Sequence, residues 1–519
     1  MKNAIGREIP DELLVNGRDV FRGSRSRDAF TFVKASPTTT SAVLGPQESK
    51  VRASLKQAIA LCEPKDGLTV SFHHHFRNGD FITTQVMQEL AALGVKDITV
   101  ATSSIGRAHN YVAELMEQGI VTGLQTSGIR DGVGEAVSRG KLKTPAILRS
   151  HGARVRAIEM GEVHIDIAFI GAPTSDEMGN ACGTGGKSDC GVLSYSMVDA
   201  RYADKVVVIT DTLVDYPNFP NGIQSVDVDH VVVVDQIGDP KGIASQIIRL
   251  TQDPRELKMA EDCARVMAAT EYFKDGYSFQ TGGGGPSLAV TRFLEPLMRQ
   301  RGIVMGWALG GITEPMVGLL KKGLIRKLFD AQSFDIASVR SVQENPNHFE
   351  ISTSQYANPM NKNALVNKLD FVILGALEID TEWHVNSIIG SDGVLRGAPG
   401  GHPDTAAGSK CCIIVAPLVR GRMPTVRDCV VTVSTPGENI DVLVTDYGIA
   451  VNPARQDLVA ALTAAGIELT TIETLRDTAY AMVGKPEDLQ FEDRVVAIME
   501  ARDGTILDVV RQVKPYVLE

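Results

Sequence analysis

The sequence predicts an α/β fold made of two tandem, homologous open α/β domains behind an irregular N-terminal arm. Three observations carry that expectation. Short β-branched runs alternate with stretches of helical period, the arrangement of strand and crossover helix. The runs are apolar at nearly every position instead of every second one, as in parallel strands covered on both faces. Landmarks recur in the same chain order at offsets of 204 to 209 residues, the mark of a duplicated unit. At 519 residues the chain is too long for one ordinary domain and long enough to bury two full cores.

Residues 1–45 are rich in Arg, Ser and Thr, as in Ser36-Pro-Thr-Thr-Thr, and show no sustained period. They read as the arm. From Glu48 onward Val51, Leu55, Ile59 and Cys62 stand at helical spacing and open the first folded unit. Leu68 to Phe72, Ile98 to Ala101, Ile165 to Ile170, Val206 to Ile209 and Val231 to Val234 read as strands. In the second half Tyr277 to Gln280 reads as a strand and Leu288 to Leu297 as a helix. Asp66-Gly67 recurs as Asp275-Gly276, Gly94 as Gly302 and Gly119 as Gly323. Asp166-Ile-Ala-Phe-Ile-Gly171-Ala172, with Asp176 beyond it, recurs as Asp370-Phe-Val-Ile-Leu-Gly375-Ala376 with Asp380, and Lys205 recurs as Lys410. The expected division is an arm over 1–45, a first domain over 46–262 and a second over 263–519. Two such domains would pack about a pseudo-twofold axis, and their interface is the natural place for a site.

Composition narrows the function classes. Hydrophobic residues make up 43% and charged residues 22% of the chain, with a mean hydropathy near zero, as in a folded soluble protein. The net charge of −11 and the absence of a basic, aromatic-interleaved stretch argue against a nucleic-acid partner. The polar start Met1 to Leu14 carries no signal-peptide pattern. The apolar run Cys411 to Val419 is far short of the roughly 20 residues of a membrane span. Seven cysteines without regular spacing suit a reducing compartment. A cytoplasmic protein without membrane attachment is expected.

Several segments could carry chemistry. Thr281-Gly-Gly-Gly-Gly285-Pro286 lies between a strand and a helix, where glycines let the backbone approach a ligand and aim amides at negative charge. It reads as an oxyanion or phosphate cradle, the alternative being a flexible turn. It lacks the Gly-x-Gly-x-x-Gly pattern, and Gly185-Gly186-Lys187-Ser188 lacks the leading glycine of a P-loop, so no nucleotide site is expected. Lys187 reads as a solvated loop lysine. In His73-His74-His75-Phe76-Arg77-Asn78-Gly79 an extended backbone puts His73 and His75 on one face and His74 on the other. The triplet therefore cannot converge on a metal, and no metal is expected. His75, Arg77 and Asn78 suit hydrogen bonding to an anionic substrate, as well as a structural role. Arg396-Gly-Ala-Pro-Gly400-Gly401-His402-Pro403 is a second glycine turn, a further backbone wall or simply a tight turn. Neither Gly-x-Ser-x-Gly nor a marked cysteine nucleophile occurs.

These loops, the repeat and the segment Leu374 to Asp380 together resemble the CoA-transferase superfamily, whose family I members carry a similar domain in each half. Gly282 to Gly285 resembles their thioester-facing turn, Gly397 to Gly401 their later glycine loop, and Asp176-Glu-Met-Gly-Asn180 their first-half Asp-x-x-Gly-Asn. Nearly the whole chain, including Val70-Ser-Phe-His-His-His-Phe-Arg-Asn-Gly-Asp80, is similar to citrate lyase α subunits. The resemblance implies transfer of an acyl-carrier protein, or CoA, from its acetyl thioester to citrate, giving the citryl thioester and acetate. It implies partners as well: a β subunit that cleaves the citryl group and a small γ carrier subunit bearing a CoA-derived arm, within an oligomer. No tightly bound cofactor is implied, CoA or the carrier's arm acting as co-substrate.

One departure bears on mechanism. Family I enzymes place a nucleophilic Glu just after the second-domain strand expected here to end near Phe329, where this chain has Asp330-Ala331-Gln332-Ser333-Phe334. A ternary-complex transfer without an enzyme glutamyl thioester follows. Gln332 would position substrate, and the amides of Gly283, Gly284, Gly400 and Gly401 would meet the oxyanion. His75, Arg77 and Asn78, with Gly282 and Gly285, would bind substrate. The alternatives are a transferase of the same architecture acting on citramalate or malonate, and a non-catalytic scaffold of a lyase complex.

Overall fold

Apolar β-branched runs can satisfy their backbone only in a ladder and their side chains only between layers of helices, and the chain builds two such sheets. The computed structural model describes residues 1–15, 17–24, 35–37, 48–244 and 251–514. The first half contributes β1 (Val51–Arg52), β2 (Thr69–Phe72), β3 (Ile98–Thr102), β4 (Val121–Thr126), β5 (Ala146–Leu148), β6 (Ile167–Ala172), β7 (Lys205–Thr210) and β8 (His230–Val233). The second contributes β9 (Ser278–Thr281), β10 (Met305–Ile312), β11 (Ile325–Ser333), β12 (His348–Glu350), β13 (Phe371–Leu374), β14 (Cys411–Val415), β15 (Val442–Thr445) and β16 (Gly448–Val451). A C-terminal hairpin, β17 (Phe491–Glu500) and β18 (Ile506–Val513), follows. Five helices matter below: α1 (Asp131–Ser138), α2 (His151–Glu159), α3 (Pro254–Ala269), α4 (Gly285–Arg301) and α5 (His402–Gly408).

The first sheet runs β1-β8-β7-β6-β2-β3-β4-β5-β17-β18 and the second β12-β11-β10-β9-β13-β14-β15-β16. Read from its other edge, the second sheet repeats the strand order β8-β7-β6-β2-β3-β4-β5 with every number raised by seven. Neighbours are parallel except at the last pair of each sheet, β17 with β18 and β15 with β16. β6 and β14 are buried at every position, as two-sided cover requires.

The recurring landmarks do the same work in both halves. Gly67 and Gly276, Gly94 and Gly302, and Gly119 and Gly323 all take positive φ, between 62° and 87°, where a side chain would be strained. Asp66 Oδ1 accepts the Lys96 amide at 2.8 Å and Asp275 Oδ1 the Val304 amide at 2.9 Å. Asp166 Oδ2 accepts the Thr69 amide at 2.7 Å and Asp370 Oδ2 the Ser278 amide at 2.9 Å. Each aspartate thus ties the start of one strand to a neighbouring segment.

The boundaries differ from those expected. Position 262/263 falls inside α3, whose Met259, Ala260, Cys263 and Met267 belong to the second core. The hairpin at 491–513 pairs with β5 and extends the first sheet instead of the second. Val51 lies in edge strand β1, partnered by Val231, and the helix begins only at Leu55 behind the Ser54 cap. β11 does not end near Phe329. It continues to Ser333 through a bulge opposite Gly310 and Gly311. Within the expected arm, Ile9 and Val20 pack with Ile147, Ile498 and Ile506. Residues 16, 25–34 and 38–45 of the arm, with Thr38 to Thr40 of its Ser-Pro-Thr motif and the expected 45/46 boundary, lie outside the described residues. Among the described residues no helix is long and apolar enough to cross a membrane.

Candidate functional site

The halves meet where the C-terminal ends of their parallel strands face one another, the usual position of a ligand crevice in open α/β sheets. Glycines permit the close approach: a Cβ on Gly152 would overlap the Ala357 carbonyl, one on Gly191 would overlap Ser333, and one on Gly128 would stand 2.9 Å from the Ala398 methyl. Backbone bonds cross the seam from Ile129 N to Gly397 O (2.9 Å), from Gly400 N to Ser127 O (3.0 Å) and from His151 N to Gly400 O (2.8 Å). Asp404, fully buried on α5, accepts from Ser150 Oγ (2.9 Å), the Gly152 amide (2.8 Å) and Arg502 Nε (3.1 Å). It thereby places a carboxylate from the second half at the N-terminus of α2 in the first, where the helix dipole favours negative charge.

At the centre of the seam lies His74. Its Nδ1 is 2.7 Å from Ser103 Oγ, which also accepts the His74 amide at 2.9 Å, and its Nε2 is 3.1 Å from Gln332 Oε1 at the end of β11. Because Gln332 Nε2 faces the His74 carbonyl at 3.5 Å, the amide turns its oxygen to the ring. This network assigns the proton to Nε2, with Nδ1 accepting from Ser103. The ring stacks on His151 with centroids 5.7 Å apart and tilts against Tyr195 at 4.6 Å, and Tyr195 Oη lies 3.4 Å from His151 Nε2. Each histidine keeps part of its surface open to the seam, yet burial dominates their electrostatics. It holds His74 well below the ordinary histidine range, with His151, His75, Arg77 and Arg130 adding repulsion. It pushes His151 down to about 3, Arg154 adding to it, and raises the Tyr195 phenol. At neutral pH the cluster is therefore a set of uncharged donors and acceptors.

Among the described residues, five of the buried polar atoms without a hydrogen-bond partner lie at or just after the C-terminal ends of strands. They are Ser127 Oγ after β4, His151 Nδ1 after β5, Gln280 Oε1 and Thr281 Oγ1 at the end of β9, and Thr313 Oγ1 after β10. Native proteins leave few such atoms unpaired, and five at converging strand ends mark a place for a polar ligand.

The residues expected from sequence are distributed differently. Gln332 faces the seam. Within the His triplet it is His74, not His75, that does so. His75 is buried beside His73 (centroids 6.0 Å apart), hydrogen-bonds the Gly171 carbonyl at 3.1 Å and is pushed by burial to about 4. Arg77 crosses the seam, but its guanidinium is spent on the carbonyls of Phe334 (2.9 Å) and Ser333 (3.3 Å) and lies 4.4 Å from the Phe334 ring centroid. Asn78 is exposed. The amides of Gly400 and Gly282 are already donated, the latter to Ile373 O at 2.7 Å, which removes them as oxyanion donors. A Cβ on Gly401 would overlap the Tyr356 hydroxyl. Gly283 and Gly284 are exposed, and Gly284 borders a groove of about 650 Å³ walled by second-half residues including Val419, Arg420 and Met482. One glycine loop therefore builds the seam while the other edges a neighbouring groove, beside Gly285 at the start of α4.

Ser103, His151 and Arg130 were missed by motif reading because none sits in a recognisable pattern, and His74, seen within the His triplet, was given no substrate role because it points away from His73 and His75. Each follows the C-terminal end of an apolar run, and that position was the available signal. For metals, His164, Asp166 and Asp204 are the described group whose ligand atoms lie within 4.8 Å of one another. They stand at the opposite, N-terminal ends of β6 and β7, and Asp166 already serves the Thr69 amide.

Comparison with known proteins agrees over most of the chain. Residues 48–513 match the family model of the citrate lyase alpha subunit. The citrate lyase alpha chain of Haemophilus influenzae is 51% identical over 93% of this chain and 96% of its own length, and that of Klebsiella pneumoniae is 52% identical over 90% and 92%. A solved structure from Streptococcus mutans, described as the alpha subunit of citrate lyase in complex with citrate, is 47% identical, covers 99% of this chain and all of its own, and superposes with a TM-score of 0.96. The fold extends to a malonate decarboxylase alpha subunit from Acinetobacter baumannii, 15% identical with a TM-score of 0.62 over 84% of this chain and 88% of its own. It extends also to a 4-hydroxybutyrate CoA-transferase from Porphyromonas gingivalis, 18% identical with a TM-score of 0.51 over 83% and 96%. A CoA-transferase-type α/β fold, a crevice between its halves and half-identical relatives along its length place this chain in the citrate lyase α subunit family.

Proposed function

We propose that this chain moves a thiol carrier, CoA or the CoA-derived arm of an acyl-carrier protein, from an acetyl group to citrate, within an assembly that includes a citryl-cleaving β subunit and the γ carrier. The observation that carries the reading is the His74–Gln332 pair across the seam. The strand end that faces the reactive crevice presents an amide, which cannot form an acyl anhydride. The side-chain partners of His74, His151 and Tyr195 are Ser103, Gln332 and each other, none of them a carboxylate.

Transfer then runs directly between substrates. A citrate carboxylate oxygen attacks the acetyl carbonyl carbon, the C–S bond breaks, and the carrier leaves as thiolate, giving an acetyl–citryl anhydride. The thiolate attacks the citryl carbonyl carbon, and the bond from that carbon to the bridging oxygen breaks, so acetate departs with an oxygen that came from citrate. Each tetrahedral intermediate needs donors that do not surrender a proton to the thiolate. The Tyr195 hydroxyl, neutral at pH 7, meets that need, and so does the neutral His74 Nε2–H once a substrate oxygen takes the place of Gln332 Oε1 as its acceptor. Holding both substrates in one crevice supplies the proximity term. The groove beside Gly284, with apolar Val419 and Met482 and the cation of Arg420, suits the flexible arm of the carrier.

The test is to incubate the purified chain with acetyl-CoA and citrate, citramalate or malonate in turn, following acyl-CoA products, with intact-mass spectra after acetyl-CoA alone. Citryl-CoA formation with no acyl or CoA adduct is expected. Preference for another acid, or no turnover, overturns the substrate assignment, and a stable adduct on an acidic residue overturns direct transfer.

A further inference from the structure

Around His74 and Gln332 the arginines named so far other than Arg130 are committed to partners, although an acid with three carboxylates needs an uncommitted positive charge. His74 and His151 are uncharged at neutral pH, and the donors of Arg77 are held by backbone carbonyls. Arg154 is buried in a bidentate pair with Asp199 (2.8 and 2.5 Å), and Arg502 is bound to Asp404. Arg130 stands apart. It follows β4 and Ile129, whose amide bonds Gly397 O across the seam. Its side chain is exposed and has no hydrogen bond or ion pair among the described residues. The stem packs over Gly106, where a Cβ would come 3.0 Å from Arg130 Cγ, so the space for the arginine is built into the loop after β3.

Local rules are broken where Arg130 sits. It is the N-cap of α1 and makes no side-chain cap bond, although a cation at a helix N-terminus opposes the dipole and Ser, Thr, Asp or Asn is the stabilising choice. The next residue, Asp131, takes φ of 56°, a strained value away from glycine. Two departures from local preference at one position, beside the reactive crevice, are the pattern of a functional residue.

We propose that Arg130 binds a carboxylate of the acceptor acid that does not react and so selects tricarboxylates over smaller acids. It is a specificity-determining residue, and the inference rests on the citrate-transfer reading. A guanidinium takes a carboxylate in a two-pronged, charge-assisted contact. Packed at its base and open at its tip, Arg130 can meet one end of citrate while another carboxylate reaches the thioester near His74.

The experiment compares wild type with R130Q and R130K for kcat and KM toward citrate, acetyl-CoA and malonate. R130Q is expected to lose about 10- to 100-fold in kcat/KM for citrate, the range for one charge-assisted contact. Its KM for acetyl-CoA and its malonate activity should hold within about twofold, and R130K should recover part of the loss. Thermal melting of each variant shows that the fold is kept, and if R130Q does not fold, R130K alone decides by its citrate-to-malonate ratio. An unchanged citrate KM in a folded variant, or equal losses for citrate and malonate, overturns the assignment. If wild type fails to act on citrate, the failure belongs to the proposed function instead.

Discussion

Replacing Asp404 by alanine tests how the halves fix the histidines of the seam. The carboxylate is fully buried and accepts bonds from Ser150, Gly152 and Arg502. Removing one partner of a buried ion pair typically costs about 3–5 kcal/mol. Arg502 retains 17% of its side-chain exposure, so water softens the loss, and burial already raises the Asp404 pKa, which offsets part of its benefit. About 3 kcal/mol remains, roughly a 100-fold shift in the local opening equilibrium. Hydrogen exchange of the Gly152 amide reads this directly and should accelerate about 100-fold in D404A. D404N keeps one acceptor oxygen and should lose about half as much free energy. Because Ser150 and Gly152 bracket His151, loosening them displaces its ring from Tyr195, and transfer should fall on the order of 10- to 100-fold. Exchange within twofold of wild type, or full activity in D404A, would refute the reasoning.

Other expectations are as direct. Gln332→Glu puts a carboxylate against His74 and the incoming acid, so kcat/KM for citrate should fall about 10-fold or more while acetyl-CoA binding is kept, as steady-state kinetics will show. Gly401→Ala drives a methyl into the Tyr356 hydroxyl, which holds Gln280 Nε2 at 2.8 Å. It should cost about 1–3 kcal/mol in urea unfolding, whereas Gly283→Ala, with nothing within 4 Å of its Cβ, should cost less than about 0.5 kcal/mol. Glu350 accepts the Leu193 amide at 2.5 Å across the seam, and burial pushes its carboxyl up to about 7, Asp330 adding repulsion. The unfolded chain releases this proton near pH 4.5 and the folded chain only near 7, so folding binds a proton between those values and stability falls as pH rises through that window. The loss is on the order of 3 kcal/mol, and Glu350→Gln should melt higher than wild type at pH 8 but not at pH 5.

What could be read without coordinates was whatever local chemistry determines. Asp66 with Gly67 and Asp275 with Gly276 announce a strand entry because an aspartate accepting an amide beside a positive-φ glycine is a local device, and it repeats with the fold. Strand positions in both halves follow for the same reason. Long-range choices left no such mark. The pairing of residues 491–513 with β5 depends on which sheet edge is free, and the bulge that carries β11 to Ser333 depends on Gly310 and Gly311 in the adjacent strand. The separation of His74 from His73 and His75 was legible, although its expected cause was not borne out: only His73 is extended, and a 3-10 turn runs from His74 to Gly79. Which face looks onto the second half was not legible, because Asp199 and the Gly171 carbonyl that hold the inward pair lie about a hundred residues away. The tetraglycine shows the converse: its flexibility is plain from composition, but its placement at a neighbouring groove follows from α3, α4 and the segment at Arg420.

The central claim is that the acceptor acid reacts between the halves, at the strand ends around His74 and Gln332. A crystal structure of the chain grown with citrate tests it most directly. The account predicts citrate in the crevice, with oxygens within about 3.2 Å of His74 Nε2 or the Tyr195 hydroxyl. Citrate lodged only in the groove beside Gly284, or on the outer surface with the crevice closed, would contradict it.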